Sequence, residues 1–297
     1  MGGKGIKTAA LRRSGKYLRA RVRHFLVTTG PNRLSRGWLV RRHHDDPVEL
    51  NELEITLPNW PIAFDGLRIA HVSDLHFGEI MPLDRAMSIV DIIARTQPDM
   101  VCNTGDLVDL ACRGVEPVAQ ALANIKAPCG NYFVLGNHDE LDSGEDVKRI
   151  VRDAGTTVLD NDICEVRRGE SVLRVGGIGW ARSPAHCRAR IDRMLGPDGG
   201  VDLLLSHNPK AFDHAAERAV SLVLSGHTHG GQIARRNRPN ANLALALAHR
   251  RNAGLYELGP SRLFVTTGAG ALFPFRLNCP AEVAMLTIRS AVQSMGA

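Results

Sequence analysis

Five short apolar runs in this chain each end, within a few residues, in Asp, His or Asn. Leu67 to Val72 leads into Ser73-Asp74-Leu75-His76, and Met100 to Asn103 leads into Gly105-Asp106. Tyr132 to Leu135 leads into Gly136-Asn137-His138-Asp139. Val201 to Leu205 leads into Ser206-His207-Asn208-Pro209, and Leu222 to Leu224 into Ser225-Gly226-His227-Thr228-His229. Runs this short and this apolar read as buried strands. Helical spacing follows the first three, over Met87 to Ala94, Val115 to Ile125 and Asp146 to Ala154. Strand, polar loop and helix in repeated order predict an α/β fold whose polar residues gather at the carboxyl ends of the strands.

The later part of the chain adds shorter strand-like runs. Ile163 to Arg167 and Ser171 to Gly176 flank a hairpin turn at Arg168-Gly169-Glu170, and Leu263 to Thr266 and Val283 to Ile288 read as two further strands. With 297 residues and 44% hydrophobic content the chain can bury one large core or two small ones, which excludes a wholly disordered or collagen-like protein.

Taken singly, each loop is weak evidence. A D-x-H triplet arises by chance, Gly-Asp is ordinary turn chemistry, and a lone His is more often structural than a ligand. Recurrence decides the matter. Carboxylate oxygen, amide oxygen and imidazole nitrogen suit borderline divalent ions such as Mn, Fe, Zn or Co, and the lack of clustered thiolates argues against a structural zinc site. Asp74, His76, Asp106, Asn137, His207, His227 and His229 are more ligands than one ion uses. Two ions about 3.5 to 4 Å apart use all of them and leave room for water and substrate oxygens.

This set of loops resembles the calcineurin-like metallophosphoesterase superfamily. Gly105-Asp106-Leu107-Val108-Asp109, Leu205 to Pro209, Ser225 to Gln232, Gly268-Ala269-Gly270 and the Pro274-x-Arg276-x-Asn278-x-Pro280 pattern resemble its YkuE/YaeI-like phosphodiesterase branch. The resemblance covers residues 65 to 288 and implies a four-layer α/β/β/α sandwich with two mixed β-sheets. It implies that Asp74, His76 and His229 hold one metal, that Asn137, His207 and His227 hold the other, and that Asp106 bridges them. It implies that His138 faces the leaving-group oxygen while Asp139 orients its imidazole. The activity implied is metal-dependent hydrolysis of a phosphodiester or pyrophosphate bond by an activated water. Asp109, Glu140 and Asp142 are read as solvated or capping residues and His71 as a core residue. Gly230 and Gly231 are assigned to the turn that presents His227 and His229.

The net charge of +6 conceals a division along the chain. Residues 1 to 44 hold twelve Lys and Arg and no acid, so the remainder carries a net −6. We therefore divide the chain into a basic N-terminal arm, residues 1–48, and a catalytic domain of the resembling kind, residues 49–297. Leu11, Leu18, Val22 and Phe25 fall on one helical stripe with Arg12, Lys16, Arg19 and Arg23 on its flanks. A short basic amphipathic helix fits an anionic membrane surface. A disordered solubilising tail is the plainer alternative, and nucleic acid is disfavoured because no aromatic platform accompanies the charge. Arg12-Arg13 is not followed by the apolar stretch of an export signal. No run approaches the roughly 18 to 20 apolar residues of a membrane-spanning helix. Six scattered cysteines without a C-x-x-C pair suit free thiols in a reducing compartment. The expected location is cytoplasmic, peripheral on the cytoplasmic face if a membrane is met, and no obligate protein partner is expected.

The substrate is the least constrained reading. Leu243 to Ala248 is flanked by Arg235, Arg236, Arg238, Arg250 and Arg251 and reads either as a buried element or as an apolar lid with basic margins. Some members of the resembling branch hydrolyse UDP-2,3-diacylglucosamine, a lipid-linked nucleotide. A soluble phosphodiester such as a cyclic nucleotide is the alternative. A non-catalytic membrane- or nucleic-acid-associated protein is a third reading.

Overall fold

The computed structural model describes residues 15–197, 199–235, 238–242 and 250–291. In chain order its strands are β1 (Val48–Leu57), β2 (Leu67–Val72), β3 (Met100–Asn103), β4 (Asn131–Phe133), β5 (Thr157–Val158), β6 (Asp162–Arg168), β7 (Ser171–Ile178), β8 (Leu203–Ser206), β9 (Leu222–Ser225), β10 (Ala234–Arg235), β11 (Arg238–Asn242), β12 (Gly254–Leu258), β13 (Ser261–Val265) and β14 (Ala281–Ser290). The α-helices are α1 (Gly15–His24), α2 (Gly30–Leu34), α3 (Trp38–Asp45), α4 (Leu83–Arg95), α5 (Glu116–Ala123), α6 (Asp139–Asp142), α7 (Gly144–Asp153), α8 (Pro184–Leu195) and α9 (Phe212–Glu217).

Two six-stranded sheets form, in the orders β1-β14-β2-β3-β4-β5 and β12-β13-β9-β8-β7-β6. Both are mixed. In the first, β2 to β5 run parallel and β14 joins β2 antiparallel while pairing β1 in parallel. In the second, β7, β8, β9 and β13 run parallel and the edge strands β6 and β12 are antiparallel. Between the sheets lies a core that includes Ile55, Phe64, Ile69, Leu203, Leu224 and Phe264. A second core packs α4, α5 and α7 on the outer face of the first sheet, and a third packs α8 and α9 on the second. Helices, sheet, sheet and helices make the expected four-layer α/β/β/α sandwich.

Local sequence explains most of these elements. In α4, Ala86, Ile89, Val90 and Ile93 are buried at helical spacing, and in α7 the Ser143 hydroxyl caps the helix by accepting from the Asp146 N–H at 3.2 Å. Four-residue strands such as β3, β8 and β9 are buried on both faces, which is why they read as continuous apolar runs. Sequence reading missed β1, which pairs with β14 over ten positions at the sheet edge. Glu49, Glu52 and Glu54 interrupt its apolar residues and mask its strand character. It also missed α8, whose buried Cys187, Ile191 and Leu195 stand among three arginines and a histidine.

Candidate metal centre

Where β2, β3, β8 and β9 end, the chain turns sharply, and the turning residues are the polar ones. Asp74, His76, Asp106, His227 and His229 all have left-handed backbone, with φ between 51° and 73°. For residues with a Cβ this costs about 1 to 3 kcal/mol each and persists only where the surroundings hold it. Gly230 and Gly231 supply positive φ within the last of these turns, at 55° and 73°. Gly226 is required for a different reason: a Cβ there would collide with the Asp74 carboxylate and the Ser73 hydroxyl.

The turns bring the predicted side chains together. Asp74, His76 and His229 converge: His229 Nε2 lies 3.2 Å from Asp74 Oδ1 and 3.0 Å from His76 Nε2. Asp106, His207 and His227 form a second group of converging ligand atoms. Asp106 stands between the two, its Oδ2 3.6 Å from His76 Nε2 and 3.2 Å from His207 Nε2. Its other oxygen accepts the His138 backbone N–H at 2.7 Å. His207 Nδ1 lies 2.7 Å from the Thr104 carbonyl, and with Nδ1–H donating there the neutral ring keeps its lone pair on Nε2.

These residues fit a pair of divalent cations. Asn137 Oδ1 and His207 Nε2 are buried polar atoms without a hydrogen-bond partner, although such atoms are ordinarily satisfied. Asp74 and Asp106 are almost fully enclosed, and two buried carboxylates this close require positive charge beside them. Burial opposes ionisation, yet His229 and His207 hold the Asp74 carboxyl well below the usual range. In turn, against the effect of burial, Asp106 and Asp74 pull His207 up to about 9. Burial keeps His229 down at about 4. Oxygen and nitrogen donors without thiolate suit the borderline ions expected from sequence.

Two assignments are corrected. Asp109 is not a solvated turn residue: it is buried, and its Oδ1 lies 3.1 Å from His138 Nδ1, whose proton is also directed at the Asp109 carbonyl at 2.8 Å. Asp139 does not orient that imidazole. Its carboxylate accepts the backbone N–H groups of Asp106, Gly136 and Val108 at 2.8, 2.8 and 3.2 Å, so it ties two ligand loops to each other. Burial and the neighbouring Asp106 push its pKa up to about 6. Glu140 is exposed and Asp142 half-buried. His71 is a core residue, its Nε2 2.9 Å from the Thr104 hydroxyl and its pKa lowered to about 3 by burial.

Residues outside the predicted set also reach the site. Arg23 Nη2 donates to His138 Nε2 at 3.0 Å, and His24 Nδ1 lies 2.9 Å from Asp109 Oδ2. Trp180 sits edge-on to His207 and tilted on His227, with ring centroids 5.6 and 4.9 Å away. It follows β7, a sixth strand whose end was read two residues early. Arg276 donates to the carbonyls of Thr267 and Gly270 at 2.8 and 2.6 Å, and Gly270 N–H returns to Asp74 O at 2.8 Å. The late Gly-Ala-Gly and Pro-x-Arg pattern thus braces the loop that carries Asp74. Leu243 to Ala248 and Arg236 lie outside the described residues. Arg251, at the far margin of that segment, pairs with Asp213 at 2.7 Å and stacks on Phe212.

Comparison with known proteins agrees with this geometry. The calcineurin-like phosphoesterase family profile matches residues 67–231. A Danio rerio transmembrane protein with a metallophosphoesterase domain is 29% identical over 260 residues, covering 82% of this chain and 58% of that protein. This chain therefore spans little more than half the length of that relative. The uncharacterized metallophosphoesterase YkuE of Bacillus subtilis is 28% identical over 260 residues, covering 82% of this chain and 86% of its own. The phosphodiesterase YaeI of Escherichia coli is 27% identical over 231 residues, covering 74% and 82%. With the profile spanning more than half of its residues and the ligand-bearing strand ends in place, the chain belongs to the calcineurin-like phosphoesterase family.

Proposed function

We propose that the chain is a metal-dependent phosphoric ester hydrolase that cleaves a phosphodiester or pyrophosphate bond. The observation that carries this reading is the convergence of Asp74, His76 and His229 in one group and of Asp106, His207 and His227 in another, together with a buried, unpartnered Asn137 side-chain oxygen. Asp74, His76 and His229 would hold one divalent ion, Asn137, His207 and His227 the other, and Asp106 would serve both. Bound there, the pair supplies Lewis acidity and a water-derived nucleophile at neutral pH.

The remaining steps belong to the protein's own side chains. His138 lies beside the ligand cluster, and Asp109 fixes its ring through Nδ1. Nε2 is then the atom that faces the leaving-group oxygen and passes it a proton. A protonated Nε2 can no longer accept from Arg23, so the guanidinium turns to a phosphoryl oxygen, where charge gathers in the transition state. Asp139 keeps the Asp106 and Asn137 loops in register. Trp180 offers an aromatic face next to His227 for the group attached to the phosphate.

A lipid-linked nucleotide such as UDP-2,3-diacylglucosamine fits this site better than a soluble cyclic nucleotide, because exposed Leu18 and Val22 lie on the same helix as Arg23 and exposed Phe25 follows it directly. The described cysteines are free thiols, which supports a reducing, cytoplasmic location. Hydrolysis of bis-p-nitrophenyl phosphate with added Mn tests the activity. The reading requires turnover that chelator abolishes and Mn restores; metal-independent turnover, or none, contradicts it.

A further inference from the structure

We propose that the N-terminal arm is a docking element for an anionic lipid bilayer, and that it holds the metal centre at the bilayer surface. The arm has two opposite sides. On the inner side Tyr17, Ala20 and Thr28 are buried, and the Thr28 hydroxyl donates to the Leu272 carbonyl at 3.1 Å. Thr29 and His24 both bond Glu79, at 2.7 and 3.1 Å. Farther along, Arg85 donates to the carbonyls of His44 and Asp46 at 2.6 and 3.0 Å. These contacts fix the arm to the catalytic domain.

On the outer side the apolar residues face solvent. Leu18 is 61% exposed, Val22 52%, Phe25 51%, Leu26 64%, Leu34 88% and Trp38 57%. A helix anchored through one face has no reason of its own to expose a second apolar stripe such as Leu18 and Val22, and exposed apolar surface of this kind marks an interaction site. Lys16, Arg19, Arg21, Arg33, Arg36 and Arg41 of the same segment are all exposed. The sequence places no acid before Asp45. An apolar strip with basic flanks matches the boundary between acyl chains and anionic headgroups, where Arg and Lys stems lie along the apolar layer and their charges reach the phosphates. An indole such as Trp38 favours the same depth. Among the described residues no helix is long and apolar enough to cross a membrane.

The position of Arg23 gives the contact its consequence. It lies on the flank of α1, between the outer strip and the inner face, and meets His138. One short helix therefore connects the bilayer surface with the imidazole beside the ligand cluster.

The test is cosedimentation of the full chain with vesicles, a readout independent of turnover, so its failure is separable from failure of the hydrolase reading. Phosphatidylcholine vesicles are compared with vesicles that also contain phosphatidylglycerol. The proposal requires binding to the anionic vesicles only, weakened when the salt concentration rises and the Debye length falls well below about 10 Å. The triple substitution Leu18→Asp, Val22→Asp, Phe25→Asp lies on exposed positions and should lower the bound-to-free ratio by at least about tenfold. Its circular dichroism spectrum and thermal unfolding midpoint serve as the folding control. A second variant, Arg19→Glu with Arg33→Glu and Arg36→Glu, should lose binding as well. Equal binding to both vesicle types, no binding to the anionic vesicles at low salt, or wild-type binding by either variant overturns the proposal.

Discussion

The ligand loops and the N-terminal arm carry their polar chemistry in opposite ways. Around Asp74 and Asp106 every charged group is enclosed, the backbone is held in left-handed turns, and each loop is tied to the next by Asp139, Arg276 or a close glycine. The arm is anchored on one side only, and its apolar residues remain in solvent. Enclosure lets the first region spend stability on a fixed arrangement of ligands, which is the condition for preorganised electrostatics. The second region keeps unsatisfied surface, which is the condition for a reversible contact. The two regions meet at Asp109, which touches His138 and His24 at once.

Three substitutions sharpen this contrast, in order of expected effect. Asp106→Asn removes the carboxylate shared by both ligand groups. It should lower kcat by at least about 10³-fold and reduce bound metal, measured by elemental analysis, because an amide oxygen carries no compensating charge. Full metal occupancy in this variant would show that Asp106 is not the shared ligand. His138→Asn should lower kcat by about 10²- to 10⁴-fold with metal content retained, the range of a general acid or base. Since His138 lies within reach of His76 and Asp106, loss of metal would instead make it a ligand. Asp109→Asn should lower kcat by about 10- to 100-fold, as for other residues that orient a ligand or a catalytic imidazole through one hydrogen bond. An unchanged kcat would return Asp109 to a purely structural place.

The converging loops were legible because each candidate ligand stands at the end of an apolar run, and runs buried on both faces announce themselves in composition. The four-layer architecture followed from the resemblance those loops carry, and both mixed sheets are present. Asp109 was not legible. An acid three residues beyond a strand-end Gly-Asp looks like turn chemistry, and the pairing of Phe77 with Val108, which precedes it, is not legible in sequence. Arg23 lies 115 residues from His138, and its helical stripe identified an amphipathic element without saying which flank would reach the catalytic domain. The strand end before Trp180 was missed because Gly176 and Gly177 interrupt the apolar run of β7. Those glycines are packing positions, where a Cβ on Gly177 would collide with Leu159.

The most direct measurement is anomalous diffraction from crystals of the Mn-loaded protein. Two peaks about 3.5 to 4 Å apart are expected, with Asp106 between them, Asp74, His76 and His229 on one, and Asn137, His207 and His227 on the other. A single peak, or two peaks with Asn137 or His207 turned away from both, would contradict the account.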